Sequence, residues 1–160
     1  MSTPIKTHQI RRVAVLGSGV MGSAIACHLA QTGSEVLLLD LPSKEGPRNS
    51  PAEGALKASL KSKPAPLYSK RFVKRIECGN FDDDLSRIAE CDWIIEVIVE
   101  RLDIKQQLFE RVEKYRKPGT LITSNTSGIP ISQLSEGRSE DFQKHFCGTH
   151  FFNPPRYLQL

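Results

Sequence analysis

Apolar positions in this chain cluster in short β-branched runs separated by stretches of helical spacing. The runs cover residues 12–16, 35–40, 75–81, 93–99, 120–125 and 146–152. Between them, residues 22–32 read as a helix closed by Gly33 and residues 82–89 as a short helix. Residues 104–116 read as an amphipathic helix that starts on an Asp103 N-cap and ends at Lys117-Pro118-Gly119. Strands alternating with helices predict parallel strands joined by crossovers, hence an α/β fold with a doubly wound, mostly parallel sheet of at least six strands and helices on both faces. Residues 41–74 break the rhythm: prolines and glycines punctuate a helical patch near residues 52–63, so the segment reads as a surface excursion. No internal repeat or linker divides the chain. One domain over residues 11–160, preceded by a tail at 1–10, is the expected organisation.

Composition agrees with this picture. With 160 residues, 39% of them hydrophobic and 25% charged, the chain is in the soluble globular range. No apolar run approaches the roughly 20 residues that cross a bilayer, and the first residues lack the apolar core of a secretory signal. A cytoplasmic location and no membrane span are expected. Cys27, Cys78, Cys91 and Cys147 are scattered without a CxxC pair, which favours reduced thiols over a zinc ribbon or disulfide scaffold. The net charge of +4 is concentrated in residues 57–63 and 69–75. Those lysines and arginines are not interleaved with aromatics as on a nucleic-acid surface; they read as a solvated helical face, with an anionic nucleotide or coenzyme tail as the alternative.

The first strand runs directly into Gly17-Ser18-Gly19-Val20-Met21-Gly22, a GxGxxG pattern, and the second strand ends in Asp40, 18 residues after Gly22. Strand, glycine turn, helix, strand and acid in this order form a dinucleotide grip. Gly17 permits the turn, Gly19 lets the backbone approach a pyrophosphate, and Gly22 lets helix and strand pack closely. The N–H groups of Val20, Met21 and Gly22 face the phosphates. Asp40 would accept from the ribose hydroxyls and repel a 2′-phosphate, which favours NAD over NADP.

Ligands of such a sheet lie beyond the carboxyl ends of its strands. There the fourth run supplies Glu100 and Lys105, the fifth Asn125, Thr126 and Ser127, and the sixth His150 and Asn153. A histidine beside small hydroxyl and amide groups next to a nicotinamide suits proton removal from an alcohol that is being oxidised. His145, Cys147 and His150 are not expected to bind metal, because strand alternation would put His150 on the face opposite the other two. His28 reads as surface or packing.

Five stretches together, GSGVMGSAIA, the acidic strand end at Asp40, EVIVERLDIKQQLF, SNTSGIPIS and GTHFFNPP, resemble the NAD-binding domain of L-3-hydroxyacyl-CoA dehydrogenases. The resemblance covers nearly the whole chain, from about residue 11 to 160. It implies a Rossmann-type fold and NAD-dependent oxidation of (S)-3-hydroxyacyl-CoA to 3-oxoacyl-CoA in fatty-acid β-oxidation. His150 would be the general base, Ser127 would bind the substrate oxygen, and Asn153 would order the site. Glu100 and Lys105 would line the cofactor and acyl-CoA crevice, with Asn125 near the nicotinamide.

Two departures stand out. Gly128 occupies the place of a second family serine, which alters the stiffness of that loop. The family also orients its histidine with a glutamate that would fall two residues past Leu160, followed by a helical domain that completes the acyl site and usually a homodimer. These 160 residues are therefore expected to be a fragment that binds NAD but turns over little; the parent would be the enzyme, as a dimer or in a multienzyme complex. Two other readings stay open: a dehydrogenase of the same superfamily acting on 3-hydroxybutyryl-CoA, a sugar acid or a similar β-hydroxy compound, and a binding-only module.

Overall fold

The computed structural model describes residues 9–158; most of the predicted tail, residues 1–8, lies outside them. Six strands, β1 (Arg12–Leu16), β2 (Glu35–Asp40), β3 (Ile76–Asn80), β4 (Trp93–Glu96), β5 (Leu121–Ser124) and β6 (Phe146–Gly148), form one sheet in the order β3-β2-β1-β4-β5-β6. All its pairings are parallel. The chain reverses its direction of travel between β1 and β4, which opens a crevice at their carboxyl ends.

Alternate strand residues feed two cores. Val13, Val15, Val36, Leu38 and Ile95 pack on one face under α1 (Val20–Thr32) and α2 (Ser50–Ser59). Ala14, Leu16, Leu37, Leu39, Ile94 and Ile122 pack on the other, under α3 (Leu102–Tyr115), α4 (Ile131–Ser135) and α5 (Glu140–Lys144). The helix α1 buries Gly22, Ala26 and Ala30 at four-residue spacing, so small side chains bring its backbone close to the sheet. It stops at Gly33, whose φ of 116° places its N–H on the Leu29 carbonyl. In α3 the buried positions are Lys105, Leu108, Phe109 and Val112, one helical stripe. Phe109 meets Phe142 and Phe146 at centroid separations of 5.6 and 5.1 Å, which locks α3 to α5 and β6.

The fold class agrees with the expectation from the sequence, but several bounds differ. The helix α1 begins two residues earlier, at Val20, and α2 occupies Ser50–Ser59 within the segment read as an excursion. The short helix expected at 82–89 is a 3-10 turn over Leu85–Glu90, and a second 3-10 turn spans Lys70–Arg75. Asp103 is inside the first turn of α3 rather than its N-cap, which is Arg101; its carboxylate still favours the helix N-terminus and pairs with Arg101 at 2.6 Å. Both β4 and β6 are shorter than their apolar runs, since residues 97–99 and 149–152 continue past the last paired position.

Candidate functional site

The glycine turn leaves β1 and enters α1 under tight steric control. A Cβ on Gly17 would stand 2.6 Å from the Val97 carbonyl oxygen, and one on Gly22 would stand 1.8 Å from the Gly17 carbonyl oxygen. Both glycines are required by the protein's own packing. Gly19 differs, since a Cβ there would meet nothing within 4 Å. Its bare backbone faces open space at the N-terminus of α1, where no side chain caps the helix and no acidic residue occupies the first turn. The N–H groups of Val20 and Met21 have no protein acceptor among the described residues. Uncapped donors, a helix dipole and an unobstructed backbone fit a dinucleotide pyrophosphate.

Asp40 ends β2 beside this turn. One carboxylate oxygen accepts from Ser18 N at 2.7 Å and from the Ser18 hydroxyl; the other accepts from Leu41 N at 2.7 Å. Of about four acceptor positions on a carboxylate, three are taken by the chain itself. Asp40 thus braces the glycine turn and keeps one acceptor position not used by these bonds. Ser18, which carries no signal in the glycine pattern, is the residue that joins the glycine turn to the end of β2.

At the end of β4 lies a buried charge cluster. Glu96 is 0% and Lys105 1% exposed. The Lys105 ammonium contacts Glu96 Oε1 at 2.5 Å and Glu100 Oε2 at 3.3 Å. Glu96 also accepts from Ile98 N at 2.7 Å and from the Ser124 hydroxyl. Glu100 Oε1 accepts from the Thr126 hydroxyl, Ser127 N at 3.0 Å and Gly128 N at 2.9 Å. Partial burial alone would raise the Glu100 pKa; the bonds from Thr126, Gly128 and Ser127, with the Lys105 charge, outweigh it and bring it to about 2. Lys105 therefore lies beneath the crevice and reaches it through Glu100, instead of lining it.

The loop after β5 is tied to the segment after β6. Ser124 O accepts from Thr149 N at 3.0 Å, and Asn125 Oδ1 accepts from Phe151 N at 2.8 Å. His150 is held between these two tethers. It is exposed, its ring meets Phe152 edge-on at 5.1 Å, and its ring nitrogens have no partner among the described residues. His150 and Ser127 share the wall of one cavity of about 420 Å³ with Thr126, Gly128 and Ile131. Asn153 is elsewhere: it lines a second cavity of about 420 Å³ with Ser18, Gly19, Val20, Lys63 and Arg156. The structure thus joins Ser127 to His150 and Asn153 to the glycine turn.

The alternation argument against a metal site does not reach His150, because β6 ends at Gly148. What separates the three residues is local structure: His145 turns its Nδ1 to the Asp141 carbonyl oxygen at 2.7 Å, before β6 begins. His28 packs edge-on to Phe151, and burial lowers its pKa. The four cysteines are free, and burial raises the pKa of Cys27, Cys78 and Cys91 to about 11, which keeps those thiols unreactive.

Comparison with known proteins places these features in a family. Residues 12–160 match the family model described as "3-hydroxyacyl-CoA dehydrogenase, NAD binding domain". A relative from Deinococcus radiodurans named "Probable 3-hydroxyacyl-CoA dehydrogenase" is 49% identical over 95% of this chain and 44% of its own length. One of the same name from Bacillus subtilis is 48% identical over 94% of this chain and 21% of its own. The solved structure of 3-hydroxybutyryl-CoA dehydrogenase from Escherichia coli superposes with a TM-score of 0.76 at 32% identity, over 94% of this chain and 31% of that one. The chain therefore spans less than half the length of these relatives.

Proposed function

Because the chain belongs to the family of 3-hydroxyacyl-CoA dehydrogenase NAD-binding domains, we propose that it supplies the cofactor grip and the acid–base half of an enzyme that interconverts (S)-3-hydroxyacyl-CoA and 3-oxoacyl-CoA in fatty-acid β-oxidation. The observation that carries this reading is the shared cavity of Ser127 and His150 at the carboxyl edge of the sheet. NAD, when bound, supplies the hydride acceptor that the alcohol carbon requires. Residues 17–22 hold its phosphates through the bare Gly19 backbone and the N–H groups of Val20 and Met21, and Asp40 takes a ribose hydroxyl with its remaining acceptor position. Ser127 donates a hydrogen bond to the substrate oxygen, and the imidazole of His150 takes the hydroxyl proton during oxidation and returns it during reduction. Lys63 and Arg156, on the wall of the second cavity, offer positive charge to the phosphates of a coenzyme A tail. Asn153 lies on that same wall, where it would order the site.

His150 has no orienting partner among the described residues, so these 160 residues bind NAD but turn over slowly. No described helix is long and apolar enough to cross a membrane; we propose a cytoplasmic location independently of that. The test uses the chain alone and a chimaera that joins it to the part of the Deinococcus radiodurans relative following the matched region. Loss of NADH absorbance with acetoacetyl-CoA is followed in each. Turnover in the chimaera, with little in the chain alone, supports the reading. A chimaera that binds NADH but reduces only a β-keto acid without coenzyme A would instead assign the chain to a different substrate class.

A further inference from the structure

Glu96 has no place in the chemistry described above, yet it is a fully buried acid at the last paired position of β4, in register with Leu16 on one side and Ser124 on the other. Three donors converge on its two oxygens: Ile98 N, the Lys105 ammonium and the Ser124 hydroxyl. Two of them, Lys105 and Ser124, lead towards the candidate site. Lys105 spans from Glu96 to Glu100, and Glu100 holds the backbone of Ser127. Ser124 accepts from Thr126 N through its hydroxyl and from Thr149 N through its carbonyl, beside His150. A buried carboxylate is costly to keep in a core where a leucine would pack, and this one underlies both halves of the cavity.

The three charges do not cancel. Two carboxylates, Glu96 and Glu100, share one ammonium, Lys105, which leaves the cluster one unit negative. It stands at the end of β4, across the crevice from the glycine turn, on the half of the sheet that receives the nicotinamide when the pyrophosphate is at β1. The nicotinamide ring is cationic when oxidised and neutral when reduced.

We propose that Glu96 is a positioning residue that fixes Glu100 and the Ser127 loop through Lys105 and Ser124, and that its charge makes the cluster favour oxidised over reduced nicotinamide. The inference rests on the cofactor reading above. It concerns a residue that touches neither cofactor nor substrate, so its signature is a change in the ratio of two affinities instead of a general loss.

The test measures NADH affinity by nicotinamide fluorescence and NAD affinity by competition, for the chain and for Glu96→Gln, Glu96→Asp and the double variant Glu96→Gln/Lys105→Met. A unit charge acting over several ångströms at a protein edge changes an affinity by about tenfold. Glu96→Gln is expected to weaken NAD about tenfold while NADH changes about threefold at most. Glu96→Asp, which keeps the charge, should hold the original ratio. The double variant leaves Glu100 alone as the net charge, so it should also keep the ratio while both affinities fall, and it remains readable if the buried lysine of Glu96→Gln prevents folding. Equal effects on both cofactors in Glu96→Gln, or a ratio lost in the double variant, overturn the inference. A wild-type chain that binds neither cofactor overturns the cofactor reading itself.

Discussion

Asn125 Oδ1 accepts the backbone N–H of Phe151 at 2.8 Å, across the gap between the ends of β5 and β6. With Ser124 O on Thr149 N, this bond brackets His150 and sets where its ring stands relative to Ser127. Asn125→Ala leaves a half-buried amide without its acceptor and should cost about 1 kcal/mol of stability. The larger effect is on placement. Displacing a catalytic group by about 1 Å lowers turnover roughly a hundredfold. Chimaera kinetics should show that loss in kcat with NADH affinity little changed; a fall in NADH affinity alone would make Asn125 a cofactor contact instead.

Gly22 and Gly19 should respond differently to alanine. Gly22→Ala forces a Cβ to within 1.8 Å of the Gly17 carbonyl oxygen, and unfolding in urea should show a loss of about 3 kcal/mol. Gly19→Ala meets no protein atom within 4 Å. Its stability should stay near wild type while NADH affinity falls about tenfold or more. A Gly19→Ala protein that binds NADH normally would remove the pyrophosphate from this surface.

In the proposed reading, Asp40 joins structure and cofactor choice in one side chain. Asp40→Ala frees Ser18 N and Leu41 N from their acceptor, with an expected cost of about 2 kcal/mol. It also removes the negative charge that repels a 2′-phosphate. The ratio of NADPH to NADH affinity should rise even though both bind to a looser turn. An unchanged ratio would show that discrimination lies elsewhere.

Glu100 gives the loop a definite acid sensitivity. Its pKa in the folded protein is about 2 against an ordinary value of 4.5, so the folded state prefers the carboxylate. Its contribution is complete above the unfolded pKa, declines as pH falls from about 4.5 and is gone below about 2. The side chain is 44% exposed, so screening reduces the benefit to about 1 kcal/mol. Urea unfolding of the wild type and of Glu100→Gln should therefore differ at pH 7 and converge towards pH 2. A gap that stays constant with pH would mean that the carboxylate charge contributes nothing.

What the sequence disclosed follows from where burial makes a pattern. The strands β1 and β2 are legible to the residue, because both are buried on two faces and stop at marked positions, β1 just before Gly17 and β2 at Asp40. The ends of β4 and β6 were not. Apolarity continues through residues 97–99 and through Phe151, which is buried against Trp93 and His28 without being in the sheet. Hydrophobic runs report burial and not pairing. The five-residue helices α4 and α5 are too short to show a period. Lysine ordinarily signals solvent, so the sequence puts Lys105 in the crevice, and its burial leaves no mark in the pattern. One signal could have exposed the cluster: Glu96 is a lone acid at the end of the run Trp93-Ile94-Ile95-Glu96, where a solvated position is not available.

The most direct test of the proposed chemistry is the reduction of acetoacetyl-CoA by NADH in the chimaera with and without His150→Gln. The expected result is a loss of about a thousandfold in kcat, with NADH affinity unchanged within about twofold, because in the proposed chemistry His150 handles the proton and does not hold the cofactor. Retention of more than about a tenth of the activity would contradict the assignment of His150 as the base and reduce the shared cavity with Ser127 to a feature of the fold.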